Sequence, residues 1–498
     1  MEADVFGIRR RRDGRVSVAQ NHHDVVVLGG GTTGRLISTE LARAGCTVAL
    51  VENALAGGES PYFACMPAKS LLHSTRRGET WELAIARRDE VAGNLDGTSA
   101  AARMAEAGVT VLRGLGRISG PGAIRVGTVT YTFTDLVVCT GSEPTLPSID
   151  GLLDAPVWTS DEALVCADLP RRLVVFGADP AGCELAQVYA SYGSQVTVIE
   201  SARRLLGAEA PFAGDMLGGA LRRMGIDLRL GVTLSQIRRT EFGVRVALSD
   251  GGVLDADRIL VTTGRRPRIT DLGLELLGVA VDPSRGLSVD PTCRVLVTDP
   301  PGLPASGSPA GLVPRPRAGS TAQADTDAGA HAGTGTGQVA GSVWAAGDVT
   351  GTGPSPHLAR YQARVVVSNV LGVRREADYR AIPRVVHTTP SVYAVGFSPP
   401  SADAEGVDLL AAGYDLASTA RAAVEDDDGG RVELYADRVR GVLVGAAAVG
   451  PYAEEWMSEI ALAIRAETPL SVLTDVVHAF PTYGEAIEVP LRELVERL

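Results

Sequence analysis
Lysine is nearly absent from this sequence: Lys69 is the only one among 47 lysine and arginine residues. A lysine kept where arginine has taken every other basic position points to a task for a compact ammonium that a forked guanidinium does not fill. An excess of positive charge is lacking too. The net charge of −12 argues against nucleic acid as the main partner. No apolar run is long enough for a membrane-spanning helix. Met1 to Gln20 carries Arg9 to Arg12 with no apolar stretch behind them, so no secretory signal of the usual kind is expected. Six scattered cysteines form neither a disulfide framework nor a zinc spacing. The expected compartment is a reducing cytosol.

At 498 residues, 45% hydrophobic and 21% charged, the chain has the composition of an ordinary globular protein and the length of about three domains. Its first organised segment is Asp24-Val-Val-Val-Leu28, read as a strand. Gly29-Gly-Gly31-Thr-Thr-Gly34 and a helix-like stretch from Arg35 to Ala44 follow. A second strand, Thr47-Val-Ala-Leu-Val51, ends at Glu52, 23 residues after Gly29. Strand, glycine-rich turn, helix, strand and acid in this order make a dinucleotide-binding fingerprint. Gly29 permits the tight turn, Gly31 lets backbone approach a pyrophosphate, and Gly34 lets the helix pack on the strand. Unpaired N–H groups at the helix start face the phosphates, and Glu52 accepts hydrogen bonds from an adenosine ribose.

The unit recurs. Arg172-Leu-Val-Val-Phe176 leads into Gly177-Ala-Asp179-Pro-Ala-Gly182, a helix from Cys183 to Tyr192, and Gln195-Val-Thr-Val-Ile199. Glu200 again stands 23 residues after the first glycine. Two dinucleotide folds in one chain suggest two dinucleotides with electrons passing between them. The copy differs at Asp179, which puts a side chain and a negative charge where a diphosphate should lie. Glu200 favours NAD over NADP by repelling a 2′-phosphate, while Arg203 and Arg204 pull the other way.

Farther on, Pro300 to Gly341 is Gly, Ala, Pro, Ser and Thr with almost no large apolar residue, the composition of a disordered loop. Val343-Trp-Ala-Ala-Gly347-Asp348 follows, a short strand that brings a carboxylate to the end of a sheet, where it can bind a cofactor hydroxyl. Ser401 to Gly430, acidic and glycine-containing, reads as an exposed loop. Between Tyr452 and Ala466, the residues Trp456, Ile460, Ala463 and Ile464 recur at helical spacing and mark core.

Both nucleotide motifs, the segment Gly57-Gly-Glu-Ser-Pro-Tyr-Phe-Ala-Cys65-Met-Pro67-Ala-Lys69, and Ala346-Gly347-Asp348-Val349 together resemble the flavoprotein disulfide reductases. Thr140-Gly141, Gly264-Arg265-Arg266-Pro267 and the tail His478-Ala-Phe480-Pro-Thr-Tyr-Gly-Glu485 resemble that family too. The likeness, closest in type to dihydrolipoamide dehydrogenase and mercuric reductase, runs from residue 21 onward with the motifs in the family's order. It implies an α/β fold: two Rossmann-like domains, for FAD and NAD, plus a C-terminal α+β dimerisation domain that makes a homodimer. The implied division is an extension over 1–20, the first part of the FAD domain over 21–150 and an NAD(P) domain over 151–275. The second FAD-binding or central part follows over 276–380, with the disordered insertion at 300–341, and the interface domain over 381–498.

The resemblance also implies roles. Lys69 lies near flavin N5 with Glu184 as its carboxylate partner. Asp348 binds the ribityl chain, Thr140, Gly141 and Gly347 line the FAD site, and His357-Leu-Ala359 lies near the ring. Gly177, Asp179, Gly182, Glu200 and Gly264 would serve NAD(P), with NADH favoured. Two departures stand out. Family members carry a redox disulfide at the positions of Ser60 and Cys65, and Ser60 cannot form one. Cys65 remains at a helix start, where the dipole favours a thiolate that could donate charge to flavin or cycle through sulfenic acid. The family's partner-subunit histidine falls at Phe480, which carries no proton, so Glu485 has lost its partner. His478 lies on a different side of the chain. An FAD-dependent oxidoreductase that is not a disulfide reductase is therefore expected. NAD(P)H would reduce the flavin, and a quinone-like small acceptor or dioxygen would reoxidise it from the Cys65 and Phe480 side. The alternatives are an FAD enzyme that no longer uses nicotinamide, acting on a specialised metabolite, or a catalytically silent flavin-binding dimer. No metal, nucleic acid or membrane span is expected.

Overall fold
Residues 21–297, 342–426 and 429–498 are described by the computed structural model. The expected extension over 1–20 and insertion over 300–341 lie outside them.

Strand His22–Leu28 sits at the centre of the first sheet, with Val25 to Leu28 wholly buried, the continuous apolar run of a parallel strand covered on both faces. On one side it pairs in parallel with Val48–Glu52, which pairs with Val109–Arg113. On the other it pairs in parallel with Val129–Val138, beyond which lie antiparallel Ala123–Val126 and Gly116–Gly120. Strand Val343–Ala345 returns to pair in parallel with Val129–Val138. Strand order therefore reverses beside His22–Leu28, and Gly29, Glu52 and Asp348 all emerge at the carboxyl ends of their strands. A ligand crevice forms at such a switch point.

The second sheet repeats the plan in five parallel strands ordered Asp227–Leu230, Gln195–Glu200, Arg172–Phe176, Arg258–Val261 and Val157–Thr159. In both units the helix lies hard on its turn. A Cβ at Gly34 would sit 1.9 Å from Gly29 O, and one at Gly182 would sit 2.2 Å from Gly177 O. The glycine spacing thus fixes how closely each helix N-terminus meets the crevice.

The C-terminal sheet is antiparallel, ordered Arg384–Val386, Ser391–Gly396, Val442–Gly450, Arg431–Asp437 and Leu409–Asp415. Two expectations are corrected or refined here. The segment read as a loop over 401–430 contains helix Pro399–Glu405, edge strand Leu409–Asp415 and helix Ala420–Glu425. Its apolar signal is small: Leu410 and Ala412 alternate inward among glycine and acids, and the hydroxyl of Thr419 caps the second helix by accepting from Ala422 N. The helix expected over 452–466 is two, Ala453–Trp456 and Ser458–Ala466, and Ile460, Ala463 and Ile464 are core as their spacing implied.

One packing feature positions the chemistry. Helix Cys65–Arg76 buries Ala68, Leu71 and Leu72 in the same apolar cluster as Leu185, Val188 and Tyr189 of helix Pro180–Ser191. Val386, Val392 and Val449 of the C-terminal sheet close that cluster. Burying each leucine is worth about 2 kcal/mol, and the cluster holds the helix against the second fold and the C-terminal sheet at once. Among the described residues, no helix is long and apolar enough to cross a membrane.

Candidate active site
A single cavity of about 2790 Å³ runs along the carboxyl edge of the first sheet and on to the second fold and the C-terminal sheet. At one end it meets the first nucleotide turn. Gly31 is the N-cap of helix Thr32–Arg43, and no side chain accepts from the helix's first N–H groups. A Cβ at Gly31 would meet only Gly58 Cα, 3.8 Å away. Glu52 turns back onto the turn, accepting from Gly30 N and Ala54 N at 2.7 Å each.

The second turn copies the acid but not the open helix end. Glu200 accepts from Ala178 N at 2.8 Å and Ala202 N at 2.7 Å. Asp179, however, is the N-cap of helix Pro180–Ser191, and its Oδ1 accepts from Gly182 N at 2.7 Å. The carboxylate thus occupies the place at which an incoming phosphate would meet the helix dipole. Asp179 is exposed on the groove side, yet the protein packed around its carboxyl displaces enough water to push its pKa up to about 6; Glu184 and Glu200 add to the rise, and hydrogen bonds from Gly182 N and Thr262 oppose it.

Midway, the packing described above brings Lys69 to Glu184: Nζ and Oε2 are 2.6 Å apart, with side chains 37% and 4% exposed. Cys65 is the first residue of its helix, half-buried, a free thiol, and lines the cavity with Ser60 and Lys69. His357 and Ala359 line it too, and His357 Nε2–H donates to Pro383 O at 2.7 Å.

Asp348 is half-buried at the cavity wall; loss of water around its carboxyl raises the pKa, while the Ser142 hydroxyl, donating to Oδ2 at 2.7 Å, opposes the rise. Ser142 Oγ also accepts from Arg265 Nε at 2.8 Å. Arg265 goes on to pair with Glu59, which Arg268 also grips at 2.6 Å. Thr140 Oγ1 donates to Arg268 O at 2.6 Å, and Gly141 accepts from Arg268 N at 2.9 Å. Arg265, Arg268, Ser142 and Glu59 were missed as site residues. Gly264-Arg265 was the signal in the sequence, a glycine followed directly by a cation of the wall.

Phe480 and Glu485 are not part of this cavity within one chain. Phe480 is 76% exposed. Glu485 Oε1 accepts from Ala420 N at 3.2 Å, at the start of helix Ala420–Glu425. His478 is buried, with its two ring nitrogens 3.1 Å from Glu488 and 3.2 Å from Glu459, and takes no part in the groove.

The profile of the pyridine nucleotide-disulphide oxidoreductase family matches residues 23–308, and that of the family's dimerisation domain matches residues 382–490. The chain belongs to this family. Its relatives include dihydrolipoyl dehydrogenases of Chlamydia muridarum, 27% identical over 94% of this chain and 97% of the relative, and of Staphylococcus aureus, 28% identical over 93% and 94%. Among solved structures it is similar to a Cu(II) complex of HOCl-induced flavoprotein disulfide reductase RclA from Escherichia coli. That likeness has a TM-score of 0.80 at 25% identity, over 95% of this chain and 100% of the other. LpdA from Mycobacterium tuberculosis gives 0.77 at 25%, over 94% and 99%.

Family membership makes this chain a homodimeric FAD-dependent oxidoreductase built from two Rossmann-like folds and a dimerisation domain. The redox disulfide is missing from it, since serine stands at position 60. The residues present fit FAD. The uncapped helix end and the open face of Gly31 suit a pyrophosphate, and the half-buried Asp348 carboxyl, which lines the cavity, suits a sugar-chain hydroxyl. Among the described residues, no group of three or more His, Cys, Asp or Glu could hold a metal ion.

Proposed function
We propose that this enzyme takes electrons from NADH onto FAD and passes them directly to a small organic acceptor of quinone type, or to dioxygen, with no dithiol relay. The observation that carries the reading is the pairing of Lys69 with Glu184 at 2.6 Å beside a lone sulfur, Cys65. FAD, when bound, supplies two-electron and one-electron chemistry in one group. Glu52 and Asp348 would hold its ribose and ribityl hydroxyls, and the N–H groups after Gly31 its pyrophosphate. Lys69 would lie at N5, where a compact cation favours the anionic reduced ring. Glu200 would hold the NADH ribose. Phe480 of the partner subunit would wall the Cys65 side. Six free cysteines are compatible with a cytosolic setting.

Anaerobic titration of the holoenzyme with NADH is expected to bleach the flavin band, and a naphthoquinone or air to restore it. A flavin that stays oxidised overturns the NADH step. The Asp179 cap favours a second reading for that outcome, in which FAD serves a substrate other than nicotinamide. A flavin inert to every donor and acceptor leaves only a binding role. Cys65→Ser is expected to remove any long-wavelength charge-transfer band from the spectrum and to leave quinone reduction standing. Loss of reduction along with the band would put the thiol on the electron path instead.

A further inference from the structure
The C-terminal sheet carries an imidazole to the wall of the same groove. His387 follows strand Arg384–Val386 and lines the cavity beside Lys69 and Glu184. Its main chain is gripped from both sides. The N–H donates to Glu184 Oε1 at 2.8 Å, and the carbonyl accepts from Arg76 Nη2 at 2.7 Å. Its ring Nδ1 lies 3.8 Å from Glu454 Oε1, an ion-pair distance. Glu454 is itself oriented: the Ser391 hydroxyl donates to its Oε2 at 2.6 Å and accepts from Ala453 N at 2.9 Å. Burial opposes ionisation of Glu454, but His387, Ser391 and the helix-start N–H outweigh it and bring the carboxyl down to about 2. A fixed carboxylate behind an imidazole, with the other ring nitrogen left over, is the construction of an oriented acid–base group.

The charged groups that face His387 are Glu454 from helix Ala453–Trp456, Glu184 from helix Pro180–Ser191, and Lys69 and Arg76 from helix Cys65–Arg76. The other histidine that lines the groove, His357, is committed to Pro383 O, and His478 lies outside it with its two carboxylates. His387 reaches the groove within one chain, whereas Phe480 does not line it.

We propose that His387, oriented by Glu454, is the acid–base residue for a small carbonyl-type substrate, a quinone or ketone and its reduced form, bound beside Lys69. The proposal rests on direct exchange between FAD and a small molecule. In the reducing direction bound FAD, once reduced, would supply the two electrons as a hydride. The acceptor's oxygen takes the proton from His387 Nε2, so that an O–H bond forms as the N–H bond breaks. The two electrons given up by FAD would reduce the acceptor, and solvent would return one proton to the imidazole. Oxidation of the hydroxyl form runs the same step backwards, with His387 taking the proton.

The test uses photoreduced holoenzyme mixed anaerobically with menadione or with ferricyanide, which takes electrons and no proton. In His387→Gln the ratio of the menadione rate to the ferricyanide rate is expected to fall about 10²-fold, the low end of the usual acid–base contribution. Glu454→Gln is expected to lower the same ratio, because the imidazole loses the carboxylate that orients it. At one fixed pH, in protein labelled with [¹³Cε1]-histidine, the signal missing from His387→Gln should be displaced in Glu454→Gln. A ratio unchanged in His387→Gln, or both rates lost together, overturns the dyad. Wild-type enzyme reoxidised by ferricyanide but never by menadione overturns direct transfer to a quinone, and the dyad with it.

Discussion
Lys69→Met is expected to slow flavin reduction by about 10²–10³-fold in stopped-flow absorbance, the usual loss when one preorganised charge is withdrawn from a transition state. The ammonium is 2.6 Å from a carboxylate that is only 4% exposed, so methionine also strands Glu184 as a buried anion. Lys69 itself is more than one-third exposed, and solvent screening reduces the stability loss to about 1–2 kcal/mol. Lys69→Met with Glu184→Gln should recover the melting temperature and not the rate, which separates the ion pair's structural part from its chemistry. Lys69→Arg should keep the pair and still lose most of the rate, since a planar fork cannot put one compact charge at one ring atom. An unaltered rate in both single variants would show that the ammonium does not act on the flavin.

Asp179→Gly is expected to tighten NADH by about 10²-fold at pH 8, read as the dissociation constant for flavin bleaching, because like charges meeting at one site cost several kcal/mol. The pH dependence has a definite sign. The carboxyl's pKa is pushed up to about 6, chiefly by loss of water around it, so the group is anionic above that pH and neutral below it. NADH affinity in the wild type should therefore rise as pH falls through about 6 and stay flat in the glycine variant. Equal affinity in both proteins across that range would mean that the pyrophosphate does not meet this helix end at all.

The nucleotide folds were legible because each is encoded within a short stretch: an apolar strand, a glycine turn and an acid close behind. Lys69 and Glu184, far apart in the chain, were reachable only because each sits inside a motif of its own. Asp179 was visible as an intruder among glycines, but its capping bond to Gly182 needed the helix geometry. Nothing local in the sequence joins His387 to Glu454. Strand pairing between Ser391–Gly396 and Val442–Gly450 brings the start of helix Ala453–Trp456 beside them, and that is a tertiary fact. The strand Leu409–Asp415 was hidden for a different reason. An edge strand with small inward residues and acidic neighbours looks, locally, like a solvated turn region.

The scarcity of amines gives the groove a built-in reporter. With one lysine in the chain, an amine-acylating reagent finds a single side-chain amine, and that amine is partly open to solvent in the groove. Its labelling half-time, read on the peptide that contains Lys69 and so apart from the α-amine, therefore reports whether the pocket is filled, with no engineered tag.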